Sequence, residues 1–443
     1  MNHKRAAMVT LGCKVNWYDS QAMAESLKAA GFVLVADGEP ADVYIVNTCA
    51  VTSEAERKSR QTVRKLLRLH PGAAVVAVGC SAQKDPHGYA AMEGLAAVSG
   101  MERGAVVDLA DRAAAGERGI LEKAVPVQVF EDLPADAQQG HTRAVLKIED
   151  GCDAHCAYCI IPGLRGEPRS RSLASIRREA EALAVRGFRE IVLVGINLGR
   201  FGACLTGPVT LADAVKAANV PGIARIRLGS LEPDAVNAAL LDRLASILPL
   251  CPHFHLSLQS GSAETLKRMG RRYNPKQFMD KLRMIRDRWP DVGITTDVIV
   301  GFPGETEEEF AESCAFVAAA GFLKVHVFPY SRREGTAAAE LPGQLPKAVK
   351  EARAAVMKAS AAPGAQAFLG GMIGKTVTVL FEEAVNGQPG WLRGYTSNYV
   401  DVLAPADGLK PGEFGSVRLK EAEGDVIIGE INQSCGGGGT VDA

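Results

Sequence analysis

Along the first part of the chain, bare apolar runs alternate with stretches whose apolar positions recur every three or four residues. Ala6–Leu11, Val43–Val46 and Ala73–Val78 have the length and composition of buried strands. Between them, Asp19–Ala30 carries Met23, Leu27 and Ala30 at helical spacing and stops at Gly31, a C-cap signal. Ser53–Leu69 reads as a second helix, with Ser53 as N-cap and Glu56 at the capping-box position. This order predicts a βαβ domain with a parallel sheet over residues 1–122. A linker follows over 123–142, ending in the polar stretch Pro134–Gly140.

The pattern then repeats a strand–loop–helix unit. Ala144–Ile148, Glu190–Val194, Ala224–Leu228, His253–Leu258, Val292–Val300 and Lys324–Phe328 are apolar runs with helical stretches between most of them. Six such units predict a partial (β/α)6 barrel over 143–369, a fold that places its chemistry at the C-terminal strand ends. Beyond it, Thr376–Leu380, Tyr395–Leu403, Gly415–Leu419 and Asp425–Ile431 are short strands separated by Gly, Pro and Asn, which predicts a small all-β barrel over 370–435. The tail GGGGTVDA, 436–443, is expected to be disordered. The fold class is therefore α/β, with a small all-β unit at the C-terminus.

Composition narrows the function classes. The 443 residues are 47% hydrophobic and 23% charged, ordinary for a globular chain. No run approaches the ~18 apolar residues of a membrane span. The opening MNHKRAAMVTLGCKVN has its short apolar run ended by Lys14, and reads as a first strand rather than a signal peptide. Net charge is −1 but unevenly spread: −2 over 1–142, +6 over 143–370 and −5 over 371–443. Contact with a nucleic acid is expected to centre on the middle segment. Ten cysteines are too sparse for a disulfide scaffold, which points to a reducing, cytoplasmic setting where clustered cysteines signal metal or catalysis.

Cys152, Cys156 and Cys159 stand as C-x3-C-x2-C in EDGCDAHCAYCIIP, straight after the first barrel strand. Three thiolates on one tight loop can hold three irons of a 4Fe–4S cluster and leave the fourth open to a small ligand. His155 lies within the loop, so spacing alone also allows zinc. Cys13, Cys49 and Cys80 each follow an apolar strand of the first domain. In a parallel sheet those strand ends share one edge, so the three can converge there; small buried core residues are the equal alternative. Cys204, Cys251, Cys314 and Cys435 show no such pattern and are expected to be structural.

The C-x3-C-x2-C loop, with Tyr158 before its last cysteine, resembles the radical S-adenosylmethionine (SAM) superfamily. Both cysteine sets, together with NTCAVTSEAERKSR, GCDAHCAYCIIPGLRGEPRSR, HLSLQSGS, RRY, TDVIVGFPGET and FPYSRREGT, resemble the methylthiotransferase family over nearly the whole chain. That resemblance implies an N-terminal domain whose Cys13, Cys49 and Cys80 hold an auxiliary 4Fe–4S cluster, a radical-SAM barrel with a second cluster on Cys152, Cys156 and Cys159, and a C-terminal TRAM barrel. It implies two uses of SAM, one molecule donating a methyl group to a cluster-borne sulfur and another yielding the 5′-deoxyadenosyl radical. The string GCKVNWYDS resembles the bacterial branch acting on N6-threonylcarbamoyladenosine-37 of tRNA, where the isopentenyladenosine branch usually reads GCQMN and the branch acting on a ribosomal-protein aspartate GCPKN. Those two substrates are the alternatives within the family. Outside it stands an iron–sulfur RNA-binding or electron-transfer protein. The implied partners are a tRNA anticodon stem-loop and a reductant such as flavodoxin or ferredoxin, with the chain a monomer, no membrane and no specified sulfur donor.

For SAM itself the resemblance points to Gly195 and Asn197 after the second barrel strand and to Ser257, Gln259 and Ser260 at the end of the fourth. Asp297 sits in the apolar strand TTDVIVGF, where a buried carboxylate needs a partner or a function, and GFPGE after it is expected to give a flexible turn near the adenine of SAM. Two basic runs are expected to meet tRNA phosphates. Arg165, Arg169, Arg171, Arg177, Arg178, Arg186 and Arg189 form the first; Lys267, Arg268, Arg271, Arg272, Lys276, Lys281, Arg283, Arg286 and Arg288 form the second. On the acidic C-terminal barrel, Lys375, Arg393, Lys410, Arg418 and Lys420 are expected to gather beside Tyr395 and Tyr399, with the rings stacking on exposed bases.

Overall fold

The computed structural model describes residues 4–122, 127–138 and 140–432. The 436–443 tail and Cys435 lie outside the described residues.

Residues 5–121 form a six-stranded sheet in the order Val33–Val35, Arg5–Thr10, Val43–Thr48, Ala74–Gly79, Ala97–Val98, Ile120–Leu121. Every pairing is parallel. Val43–Thr48 and Ala74–Gly79 are buried on both faces, which is why they read as unbroken apolar runs. The first helix is longer than expected, Lys14–Ala29, because buried polar residues disguise its first turns: Asn16 and Asp19 both face inward. The second helix runs Ser53–Leu69 as expected, but Thr52, not Ser53, caps it, accepting from the backbone N–H of Ala55 at 3.0 Å. Glu56 pairs with Lys84 and Arg60 instead of closing a capping box.

The six expected barrel strands are present, in two parallel sheets. Ala144–Lys147, Glu190–Val194 and Arg225–Leu228 form the first; His253–Gln259, Gly293–Val300 and Lys324–Pro329, with the short Ser230–Leu231, form the second. The sheets meet at Ile226, whose backbone bonds to Pro249 and Cys251 carry the connection across. One apolar cluster from Ala144 to Met357 fills the layer between these strands and their outer helices.

The C-terminal strands close into a five-stranded barrel in the order Thr376–Ala384, Trp391–Thr396, Asp401–Pro405, Val426–Ile431, Phe414–Glu423. The run Tyr395–Leu403, expected as one strand, is two, because the chain turns back at Tyr399 with φ of 72°. The 26-residue helix Lys347–Met372 ties this barrel to the larger one: Ala354 and Met357 belong to the central core, Leu369 and Met372 to the small barrel's core.

Candidate functional site

All six predicted cysteine ligands line one cavity of about 580 Å³. Its roof is built by the strand ends of the N-terminal sheet, its walls by the large barrel, and part of its floor by Tyr399 from the small barrel. The N-terminal domain docks through Val15, Tyr18 and Ala22 of the first helix against Val145, Val192 and Val194 of the barrel.

The glycine before a cysteine is a physical requirement here. Gly12 has φ of +105°, and a Cβ on it would lie 2.6 Å from the sulfur of Cys49. Gly79 has φ of +91°, and a Cβ there would lie 2.3 Å from Asn47 Oδ1. Only glycine lets the strand end turn so sharply and lets one cysteine loop approach the next. Cys49 is then held by its backbone N–H, which donates to Ser59 Oγ at 3.0 Å.

Burial pushes the thiols of Cys49 and Cys159 up to about 11, and raises those of Cys80 and Cys152. Donors and cations are nonetheless aimed at the sulfurs. Arg271 Nη1 donates to Cys156 Sγ at 3.1 Å, and Asn197 Nδ2 lies 3.6 Å from Cys152 Sγ. Arg165 stands beside Cys80 and lowers the cost of charge there. Arg333 links the two cysteine sets, donating to the carbonyls of Val51 and Tyr158. A donor set of thiols that are costly to ionise alone but faced by buried guanidinium groups fits an anionic, thiolate-bound iron–sulfur group.

The remaining predicted site residues divide. Gly195, Gln259 and Asp297 line the cavity, and Gln259 has φ of 67°. Asn197 lies on an adjoining pocket of about 170 Å³ with Cys156 and Arg271. Ser257 and Ser260 do not line either space. The Ser257 carbonyl accepts from Arg271 and Tyr273, and the Ser260 hydroxyl accepts from the Ser262 backbone N–H at 3.2 Å. GFPGE is not part of the cavity lining; in it Glu305 accepts from Gly301 N–H at 2.7 Å and pairs with Arg353 at 2.6 Å. Asp297 lies 3.2 Å from His255 Nε2, and with His326 they form a group whose nitrogen and oxygen atoms lie within 4.8 Å of one another.

The first basic run divides: Arg177, Arg178, Arg186 and Arg189 are exposed, while its first three arginines are a buried device. Arg165, Arg169 and Arg171 are 1–5% exposed. Arg165 joins Arg103 and Lys147 around Asp19 and Asp150, tying the N-terminal domain to the barrel's cysteine loop. Arg171 pairs with Glu179 at 2.6 Å, beneath Tyr18. Arg271 of the second run is spent on Glu232 and Cys156. These four arginines cannot meet phosphates. The tyrosines of the small barrel are also turned inward. Tyr399 stacks on His253 with centroids 4.4 Å apart and on Tyr395 at 4.9 Å, with Arg143 lying over both rings. Arg225 and Arg227 donate to the carbonyls of Tyr395, Thr378, Thr396 and Ser397, fixing that barrel against the cavity. Lys375, Arg393 and Lys420 each hold an acidic partner.

Sequence reasoning did not single out Lys14, Arg227, His255 and His326, and it expected Tyr399 to face RNA; all five line the cavity. Only Lys14 carried a local signal, standing next to a predicted ligand cysteine. Burial lowers its pKa, with Arg143 and Arg227 adding to that and Tyr399 and Glu190 opposing.

Residues 5–100 match Uncharacterized protein family UPF0004, and residues 146–317 match the Radical SAM superfamily. The chain is 36% identical over 96% of its length to the threonylcarbamoyladenosine tRNA methylthiotransferase MtaB of Thermotoga maritima, of which it covers 96%. It is 31% identical to the tRNA-2-methylthio-N(6)-dimethylallyladenosine synthase of Alkaliphilus oremlandii, across 97% of this chain and 93% of that protein. Among solved structures it resembles the radical SAM methyltransferase TsrM from Kitasatospora setae, with TM-score 0.58 and 16% identity over 76% of this chain and 77% of that one, a likeness of fold alone.

Proposed function

Because the chain belongs to the radical-SAM methylthiotransferase family, we propose that it methylthiolates C2 of N6-threonylcarbamoyladenosine at position 37 of tRNA, with two 4Fe–4S clusters. The observation that carries this reading is the convergence of two three-cysteine sets from different domains on one cavity. A single-cluster enzyme or an electron-transfer protein has no need of that juxtaposition. The choice of substrate is supported by the GCKVN string; identity does not decide it, since relatives named for threonylcarbamoyladenosine are 34–36% identical and those named for dimethylallyladenosine or uS12 are 31–35% identical.

Cys152, Cys156 and Cys159 would hold the cluster that binds and cleaves SAM, and Cys13, Cys49 and Cys80 the cluster that carries the sulfur; when bound, these groups supply the electron and the methylthio unit. The chain's own residues set the stage. Arg271 and Arg165 place positive charge beside the thiolates. Tyr158, Arg271 and Tyr399 line the cavity, in which a reaction through a primary radical requires that water be kept away. The target base must leave its stack to enter, since a duplex or stacked loop cannot reach this depth.

The test is reconstitution under anaerobic conditions with SAM, reductant, a sulfur source and tRNA carrying threonylcarbamoyladenosine, isopentenyladenosine or unmodified adenosine at position 37. Mass spectrometry of the digested nucleosides should find the 2-methylthio product from the threonylcarbamoyl tRNA. Product from isopentenyladenosine tRNA alone would overturn the assignment.

A further inference from the structure

Lys14 is the first residue of the helix Lys14–Ala29 and follows the ligand Cys13 directly. It lines the cavity that the six cysteines line, and it is exposed. Its charged or titratable neighbours include Arg143, Arg227, Glu190, Tyr399, His253 and His326. The carboxylates around it are engaged elsewhere: Glu190 pairs with Arg227 at 2.7 Å, Glu382 with Arg143 at 2.6 Å and Glu232 with Arg271, and Asp297 faces His255 at 3.2 Å. Among the described residues, no hydrogen bond or ion pair reaches Lys14 Nζ. The inner cavity therefore offers one cation whose anion is not part of the protein.

We propose that Lys14 recognises the carboxylate on the N6 substituent of the target adenine; this rests on the threonylcarbamoyl reading above. A base drawn out of its stack brings its ring and substituent into the cavity, while backbone phosphates stay at the mouth. The threonylcarbamoyl group ends in a carboxylate, which matches an ammonium held beside Arg143, Arg227 and the Tyr399 hydroxyl. An isopentenyl group would bury hydrocarbon against the same ammonium and leave the charge unanswered, so Lys14 selects against that substrate as well as for the other. The same carboxylate chemistry could come from the methionyl end of SAM, and the test separates the two sources.

The measurement is anaerobic binding of anticodon stem-loops to the reconstituted full chain, wild type, Lys14→Gln and Lys14→Arg. The stem-loops carry threonylcarbamoyladenosine, its methyl ester, or unmodified adenosine at position 37. Wild type should bind the free acid roughly 10–100-fold more tightly than the ester, the range of a charge-assisted hydrogen bond. Lys14→Gln should bring the two within a few-fold, and Lys14→Arg should keep most of the preference. A Lys14→Gln chain that keeps the full preference overturns the proposal. Equal weakening for all three stem-loops assigns Lys14 to phosphate and also overturns it. So does weaker binding of SAM alone by Lys14→Gln, which moves the contact to the methionyl carboxylate. If wild type does not distinguish threonylcarbamoyladenosine from adenosine, the substrate reading itself fails, whatever Lys14 does.

Discussion

Replacing Asp19 by Asn should cost the protein several kcal/mol while leaving every side chain nearly the same size. Asp19 is 3% exposed and accepts from Arg103 Nη2 at 2.8 Å, Lys147 Nζ at 2.7 Å and Arg165 Nη2 at 3.3 Å. Burial alone would raise its pKa, but Arg103, Lys147 and Arg165 outweigh burial and hold it below the usual carboxylate value. The amide removes one of the anions that answer these cations and leaves them to Asp150 and Glu131. Breaking a buried pair by removing one partner costs about 3–5 kcal/mol. At about 2–4 °C per kcal/mol for cooperative units of 150–250 residues, the melting temperature should fall by roughly 6–20 °C. Thermal scans by circular dichroism read the whole chain. Trp17, packed edge-on against His141 at 4.5 Å beside the docking surface, reports that interface by fluorescence. The sign with pH is fixed. A carboxyl whose pKa is depressed by folding contributes stability above its unfolded value of about 3.9 and loses it as pH falls through the folded value. The gap between wild type and Asp19→Asn should therefore be full at neutral pH and narrow below about pH 4. Equal stability at pH 7, or a gap that widens in acid, would refute the claim that this cluster holds the two cysteine-bearing domains together.

Three further outcomes follow from the same geometry. The Cys13→Ala, Cys49→Ala, Cys80→Ala triple variant should bind about four irons instead of about eight after reconstitution; it should still release 5′-deoxyadenosine from SAM but form no methylthio nucleoside by mass spectrometry. Gly12→Ala should imitate that loss without touching a ligand, because its Cβ would press on the Cys49 sulfur from a backbone with φ of +105°; iron analysis finding the full complement would show that the strand end can relax. Tyr399→Ala removes two ring stacks and part of the cavity wall; liquid chromatography should find several-fold more 5′-deoxyadenosine per methylthio product, and an unchanged ratio would show that the small barrel does not seal the site.

The sequence by itself marked the longer buried strands and the six cysteines that share the cavity. Buried parallel strands write themselves as apolar runs, so Val43–Thr48, Ala74–Gly79 and the six barrel strands were legible to within a residue or two. Cysteines after strand ends of one parallel sheet must share an edge, which made the convergence of Cys13, Cys49 and Cys80 a topological inference before any coordinate was known. Charge was where local reading failed. Arg165, Arg171 and Arg271 look in sequence like surface cations, yet each is buried against a carboxylate from another element. An ion pair is set by the fold's long-range contacts, and a side chain's residue type does not say whether its partner is water, phosphate or a buried Asp. Asn16 hid the start of its helix for a related reason, since its inward side chain is satisfied by the distant Thr48 carbonyl and by Arg165 of another domain. The tertiary structure alone decided that Tyr399, far down the chain in another barrel, floors the cavity. Periodicity records which face of an element is buried, but not which distant element buries it.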